Sequence, residues 1–248
     1  MSVIYILWLR QLKRHVRSRG RLLASLGQPI LFLLAFGFGF SGVFRRAGQG
    51  DYMQFLAPGI IGMGVMFSAV FSGIELIWDK QFGFIKETLV APVPRYVVML
   101  GRTSGGATVA LIQGLLVVIA CSFVGFRPAA LAQVPAALGF MVLIAIMFTA
   151  LGTSIASVVA DFQAFPLVMN FLVMPLFFLS GALFPLSQVP PALAVIARFN
   201  PLAYGIDGLR GELTGQWYFT PAADLAVLLA LTLLLLWAGA KLFDRIEA

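Results

Sequence analysis

The sequence predicts an all-α protein that crosses a membrane several times. Three observations carry that expectation. Of 248 residues, 60% are hydrophobic and only 11% are charged. The mean hydropathy is +0.98. The apolar residues also gather in runs of about 20, the length a helix needs to cross a bilayer core. A soluble domain of this size needs far more charge to cover its surface.

The elements follow in order. Residues 1–20 are expected to form an amphipathic helix lying in the membrane interface. Tyr5, Trp8, Leu9, Leu12 and Val16 recur at helical spacing, and Arg10, Lys13, Arg14 and Arg17 occupy the remaining face. A plain positively charged anchor is the competing reading. The basic cluster precedes a long first span without a small-residue cleavage pattern, so that span is expected to stay in the protein. Six transmembrane helices are expected at 22–44, 53–78, 98–125, 134–160, 163–184 and 222–243, all within a single membrane domain covering 1–248. Gln28-Pro29 sits near the start of the first, where proline removes a backbone donor. The stretch 185–221 is too long for a turn and too apolar for a solvated loop. It is expected to hold short re-entrant helices, with Pro190-Pro191 opening one and Asn200-Pro201 marking a stop and restart.

Orientation follows from the cations. With the N-terminus in the cytoplasm, twelve of the 17 Lys and Arg fall inside and five outside. Both termini are then cytoplasmic, and so is the loop between the second and third spans. Small residues at helix-packing spacing occur at Gly37/Ser41, Gly101/Gly105 and Ala150/Ser154.

Several functions are excluded. Cys121 is the only cysteine and His15 the only histidine. A disulfide framework, a cysteine or histidine metal site and a histidine triad are ruled out, and neither a catalytic nor a metal site is expected. The net charge of +7 lies at span ends and does not mark a nucleic-acid face. None of the four lysines follows a glycine, so the chain lacks the Gly-Lys of a phosphate-cradling loop. Any nucleotide hydrolysis that powers it belongs to another polypeptide. Glu75 and Asp161 lie near span ends. Asp161 is expected to cap a tight turn, and Glu75 to pair with Lys80 or with an arginine of the N-terminal helix. A secondary carrier driven by ions or protons is the alternative function. It would want ionisable residues deep in the membrane and inverted repeats, and neither is evident.

The loop from Glu75 to Arg95 is the most structured interruption of the hydrophobic chain. Phe82, Ile85 and Leu89 recur at helical spacing, with Phe84 offset and Lys86 and Glu87 on the polar side. Gly83 weakens a helix unless close approach is required. Pro92 and Pro94 end the helix. Two partners suit the apolar side: a groove on a soluble protein, or the bilayer surface.

These residues, in this order, resemble the ABC-2 type transporter permeases, and in particular the daunorubicin-resistance and nodulation-type exporter permeases. The resemblance rests on Glu75…Asp79-Lys80…Gly83…Leu89…Pro92…Pro94-Arg95. It rests also on Tyr52…Pro58-Gly59, on Pro175…Ser180-Gly181…Phe184-Pro185, and on Asn200-Pro201…Tyr204…Asp207…Arg210. It implies an exporter permease in the bacterial or archaeal cytoplasmic membrane. Two permease copies would pair with two ATP-binding subunits, which bind the ATP and Mg. Gln81, Phe82, Gly83, Phe84, Ile85, Lys86, Glu87 and Leu89, within 81–90, would form the coupling helix. Glu75, Asp79, Lys80, Pro92, Pro94 and Arg95 would bracket it. Ser180, Gly181, Phe184, Pro185, Pro190, Asn200, Pro201 and Arg210 would form an extracellular gate. The sequence shows no aromatic ladder or large cytoplasmic domain suited to a long polysaccharide. Its aromatics (Phe32, Phe36, Phe38, Phe40, Phe67, Phe71, Phe171, Phe177 and Phe178) suit a hydrophobic substrate such as a drug, lipid or glycolipid, and equally suit lipid contact.

Overall fold

The computed structural model describes residues 2–46, 50–84, 93–159 and 161–243, apart from the side chains of 19 and 21–24. The described residues hold ten α-helices, two 3-10 turns and no strand. They are α1 (Val3–Arg17), α2 (Arg19–Arg46), α3 (Tyr52–Phe71), α4 (Ile74–Gln81) and α5 (Arg95–Phe123). After these come α6 (Val134–Val158), α7 (Ala164–Phe178), α8 (Pro191–Arg198), α9 (Pro201–Thr214) and α10 (Pro221–Phe243).

Among the described residues, five helical segments are long and apolar enough to cross a bilayer: Ser25–Arg46, Tyr52–Gln81, Arg95–Phe123, Leu131–Val158 and Pro221–Phe243. The fifth span expected from the sequence, 163–184, is not a helix of that length. α7 stops at Phe178 after 15 residues, about 22 Å of rise. The apolar run continues to Phe184, but Leu179 caps the helix and Gly181 turns the chain at a φ of 75°. Hydropathy cannot separate a buried turn from a helix when both are apolar.

α3 forms the centre. Leu56, Ile60, Ile61, Met63, Val65 and Met66 are each 0–1% exposed. α2, α5, α6 and α9 pack around it. Its N-terminus is capped by Asp51, whose side chain accepts from Met53 N. The 185–221 stretch does contain two short helices, α8 and α9, each opened by proline at its first position. Asn200 caps α9 by accepting from Leu202 N at 3.0 Å.

α1 lies along α5. The stripe that docks is Leu7–Gln11–His15, whereas Tyr5 and Val16 of the expected apolar face are exposed. The Gly101/Gly105 pair makes this possible. A Cβ on Gly101 would lie 3.0 Å from Leu7 Cβ, and one on Gly105 would run into the Gln11 side chain. Trp8 Nε1 donates to Thr108 Oγ1 at 2.9 Å to complete the seam.

Candidate functional site

The first candidate region is built around α4, a two-turn extension of α3 past a short break at Ser72–Gly73. Asp79 on α4 is 4% exposed and faces three cations. It accepts from Arg102 on α5 at 2.6 Å and from Arg10 on α1 at 3.0 Å, with Arg14 at 3.9 Å. Arg102 is itself 4% exposed. A buried charge of this kind is tolerable only when its counter-charge is close.

The neighbouring residue points the other way. Lys80 Nζ donates to Ala156 O at 2.8 Å and to Ser157 O at 2.6 Å. These are among the last carbonyls of α6, which have no partner within their own helix and carry the negative end of its dipole. Trp78 stands edge-on to Phe162 at 5.1 Å, next to the turn into α7. In that turn Asp161 Oδ1 accepts from Gln163 N at 2.8 Å, holding the turn, while Gln163 takes the N-cap position of α7. One short helix is therefore fastened to α1, α5, α6 and the turn before α7.

Asp79 ties the N-terminal helix to α4. Lys80, one of the partners expected for Glu75, donates its ammonium to α6 carbonyls. Gln81 is the last residue of α4 and not part of a separate loop helix. Phe82 N donates to Trp78 O, Gly83 N donates to Lys80 O, and Gly83 takes a φ of 76°. Nothing lies near its missing Cβ. Gly83 therefore ends a helix and does not serve a close approach. Phe84 follows with its ring 6.0 Å from the Arg10 guanidinium. Ile85, Lys86, Glu87, Leu89 and Pro92 lie outside the described residues. Pro94 caps α5 and Arg95 begins it.

The second candidate region lies at the opposite end of α3, and its residues do converge. Arg210 on α9, 6% exposed, donates to Gly181 O at 2.9 Å and to Phe55 O at 3.3 Å. Its guanidinium lies 3.9 Å from the centre of the Phe55 ring. Ser180 Oγ donates to Phe177 O and accepts from Ala182 N. Asn200 Nδ2 donates to Leu176 O at 2.6 Å, so the residue that caps α9 also holds the end of α7. Tyr52 OH donates to Leu183 O at 2.9 Å. Pro201 is the first residue of α9. Phe184, Pro185 and Pro190 border a cavity of about 370 Å³ with Phe40, Phe44 and Tyr52. The 179–185 turn is thus clamped by α3, α7 and α9.

Two features went unforeseen. Phe32, Phe36 and Phe40 stack at 5.3 and 5.7 Å along α2, and Phe40 meets Phe184 edge-on at 6.4 Å. The i, i+4 spacing was the available signal for this aromatic run. The other is a buried pair of carboxylates. Asp207 accepts from Tyr218 N at 3.0 Å and from Phe219 N at 2.8 Å. Burial still pushes its carboxyl above the ordinary range, against the pull of those two donors. Asp224, in the first turn of α10, is 0% exposed and lies against the Asp207 carboxyl. Their sequence surroundings are those of ordinary helix and loop acids.

The profile of the ABC-2 type transporter family matches residues 2–213. The chain is 32% identical over 215 residues to the ycf38 transport permease of Porphyra purpurea, covering 82% of this chain and 72% of that one. It is 28% identical over 199 residues to nodulation protein J of Rhizobium leguminosarum bv. viciae, with 79% and 75% covered. It is 34% identical over 162 residues to the inner membrane transport permease YadH of Escherichia coli K12, with 64% and 62% covered. The profile match over most of the chain agrees with the resemblance drawn from the sequence motifs, and this chain belongs to the ABC-2 type transporter family.

Proposed function

We propose that the chain is the permease subunit of an ATP-driven exporter in a bacterial or archaeal cytoplasmic membrane, with both termini in the cytoplasm. Six crossings make up its membrane domain, α7 and the 179–185 turn together supplying the fifth. Two copies enclose the pathway, and two separate ATP-binding subunits hold the ATP and Mg²⁺. The cargo is a hydrophobic or amphipathic molecule.

The observation that carries this reading is the fastening of α4. A push on the loop after Phe82 acts on a stub joined to α1 and α5 through Asp79 and to α6 through Lys80. A passive connecting loop has no need of such anchorage. Movement of the partner ATPases would therefore displace several helices together, and the clamped turn at the far end is the expected outward gate. The membership of a transport permease family supports the same reading.

The test is affinity purification of the tagged chain in mild detergent, followed by transport assays in vesicles. An ATPase is expected to co-purify, and Phe82→Glu is expected to abolish ATP-dependent transport while the permease remains in the membrane. Absence of any ATPase together with ATP-independent transport would overturn the proposal.

A further inference from the structure

A cleft of about 270 Å³ lies between α1, α2, α3 and α5 within a single copy of the chain. Its volume is near the lower end of small-molecule pockets, about 300–1,000 Å³. It extends from Glu75, beside the Asp79 cluster, to Met63 and Gly64 at mid-α3. At the helical rise this is on the order of 18 Å.

Its lining is mixed. Phe67 and Phe71, stacked at 6.2 Å, form an apolar patch with Met63, Val109 and Pro29. The lining also holds Gln11, His15, Gln28 and Gln113. Gln113, on α5, is 1% exposed. Its Oε1 accepts from Ser25 at 2.8 Å, but its Nε2 has no hydrogen-bond partner. Gln11 Oε1 is also buried without one. Leaving such atoms unsatisfied costs about 1–3 kcal/mol each. Two glutamines that line one cleft, on different helices, therefore carry a buried donor and a buried acceptor without a partner. Among the described side chains no lysine or arginine lines it, and Glu75 is their one carboxylate. An anionic head would meet that carboxylate, with His15 the one described group able to offset it.

We infer that this cleft is a loading site for a single-chain amphiphile with a neutral or cationic hydrogen-bonding head. The head bonds to Gln11 and Gln113, and the chain lies along Phe67 and Phe71. As a cargo site the inference rests on the permease reading, and it narrows the cargo class.

The test uses the full chain in phosphatidylcholine nanodiscs, with radiolabelled dodecylamine, monolaurin and laurate as cationic, neutral and anionic probes. Dodecylamine and monolaurin are expected to bind saturably above empty nanodiscs, and laurate at least tenfold more weakly. Gln113→Leu is expected to weaken the two favoured probes by about tenfold, the scale of one lost hydrogen bond. Ser68→Cys, placed in the wall of the cleft, gives a readout that does not need a core substitution. The native Cys121 is fully buried. Dodecylamine is expected to protect Ser68→Cys from a maleimide. Equal binding of laurate, no saturable binding, or an unprotected Ser68→Cys would overturn the inference. So would a tightly retained phosphatidylcholine that dodecylamine does not displace, because the occupant would then be bilayer lipid. Co-purification of the ATPase in the same preparation keeps failure of this inference apart from failure of the permease reading.

Discussion

Asp79 and Arg102 form a buried ion pair with a 2.6 Å hydrogen bond, joining α4 to α5. Arg10 and Arg14 approach the same carboxylate with side chains 41% and 40% exposed. The two kinds of contact should differ in strength. Exposed pairs contribute about 0–1 kcal/mol. Removing one member of a buried pair costs about 3–5 kcal/mol, because the other charge is left uncompensated.

Asp79→Ala is therefore expected to destabilise the protein by about 3–5 kcal/mol, and Arg10→Ala by under about 1 kcal/mol. The double variant Asp79→Leu/Arg102→Met should recover much of the loss. A double-mutant cycle from denaturant melts in detergent measures this. Additive single effects at Asp79 and Arg102 would refute the pairing.

Arg210 offers a test of guanidinium geometry. It reaches two carbonyls on different elements and lies over Phe55. Lysine keeps the charge but not the planar fork. Arg210→Lys is expected to cost about 2–3 kcal/mol, the scale of charged hydrogen bonds, and to expose the 179–185 turn. Hydrogen exchange at Gly181 and Ala182 reads this directly. Unchanged protection there would show that charge alone is sufficient.

How much of this was legible in the sequence depends on what each element presents to its neighbours. The long spans were legible, because an apolar run of 20 or more residues has few other uses. The helical character of α1 was legible from periodicity, but its docking face was not. Gln11 and His15 look polar, and only the bare glycines of α5 make room for them. Asp79 and Glu75 are both acids on the same short helix, and spacing alone could not decide which one would meet Arg102. Much of the clamp on the 179–185 turn was hidden because Arg210, Asn200 and Tyr52 bond to backbone carbonyls, which every residue type carries. Asp207 was hidden in the same way, since its partners are the N–H groups of Tyr218 and Phe219.

The α1 seam gives a packing prediction. Gly105→Leu places a branched side chain against Gln11, where even a Cβ has no space. Overpacking of this sort costs about 1–3 kcal/mol. α1 is expected to lift from α5 and break the bond from Trp8 to Thr108. A shift in Trp8 emission and faster proteolysis within residues 3–17 should accompany it. Gly139→Leu, at a glycine with open space around it, should do neither.

Asp207 makes a prediction about pH whose sign runs against ordinary acid denaturation. Its folded carboxyl titrates above the ordinary value of 3.8 because it is buried. Between those two values the folded protein holds a proton that the unfolded chain has released, so stability falls as pH rises through that interval. Acidification from neutral pH toward about 3.8 should therefore stabilise wild type relative to Asp207→Asn, which has no proton to take up. The asparagine variant keeps one oxygen to accept from Tyr218 N or Phe219 N, so it should still fold. The measurement is the difference in Tm between the two proteins at a series of pH values in detergent. A difference that moves toward wild type as pH falls is the expected result. A flat or opposite trend would mean that the backbone donors outweigh burial and that the Asp207 carboxylate stays ionised in the fold.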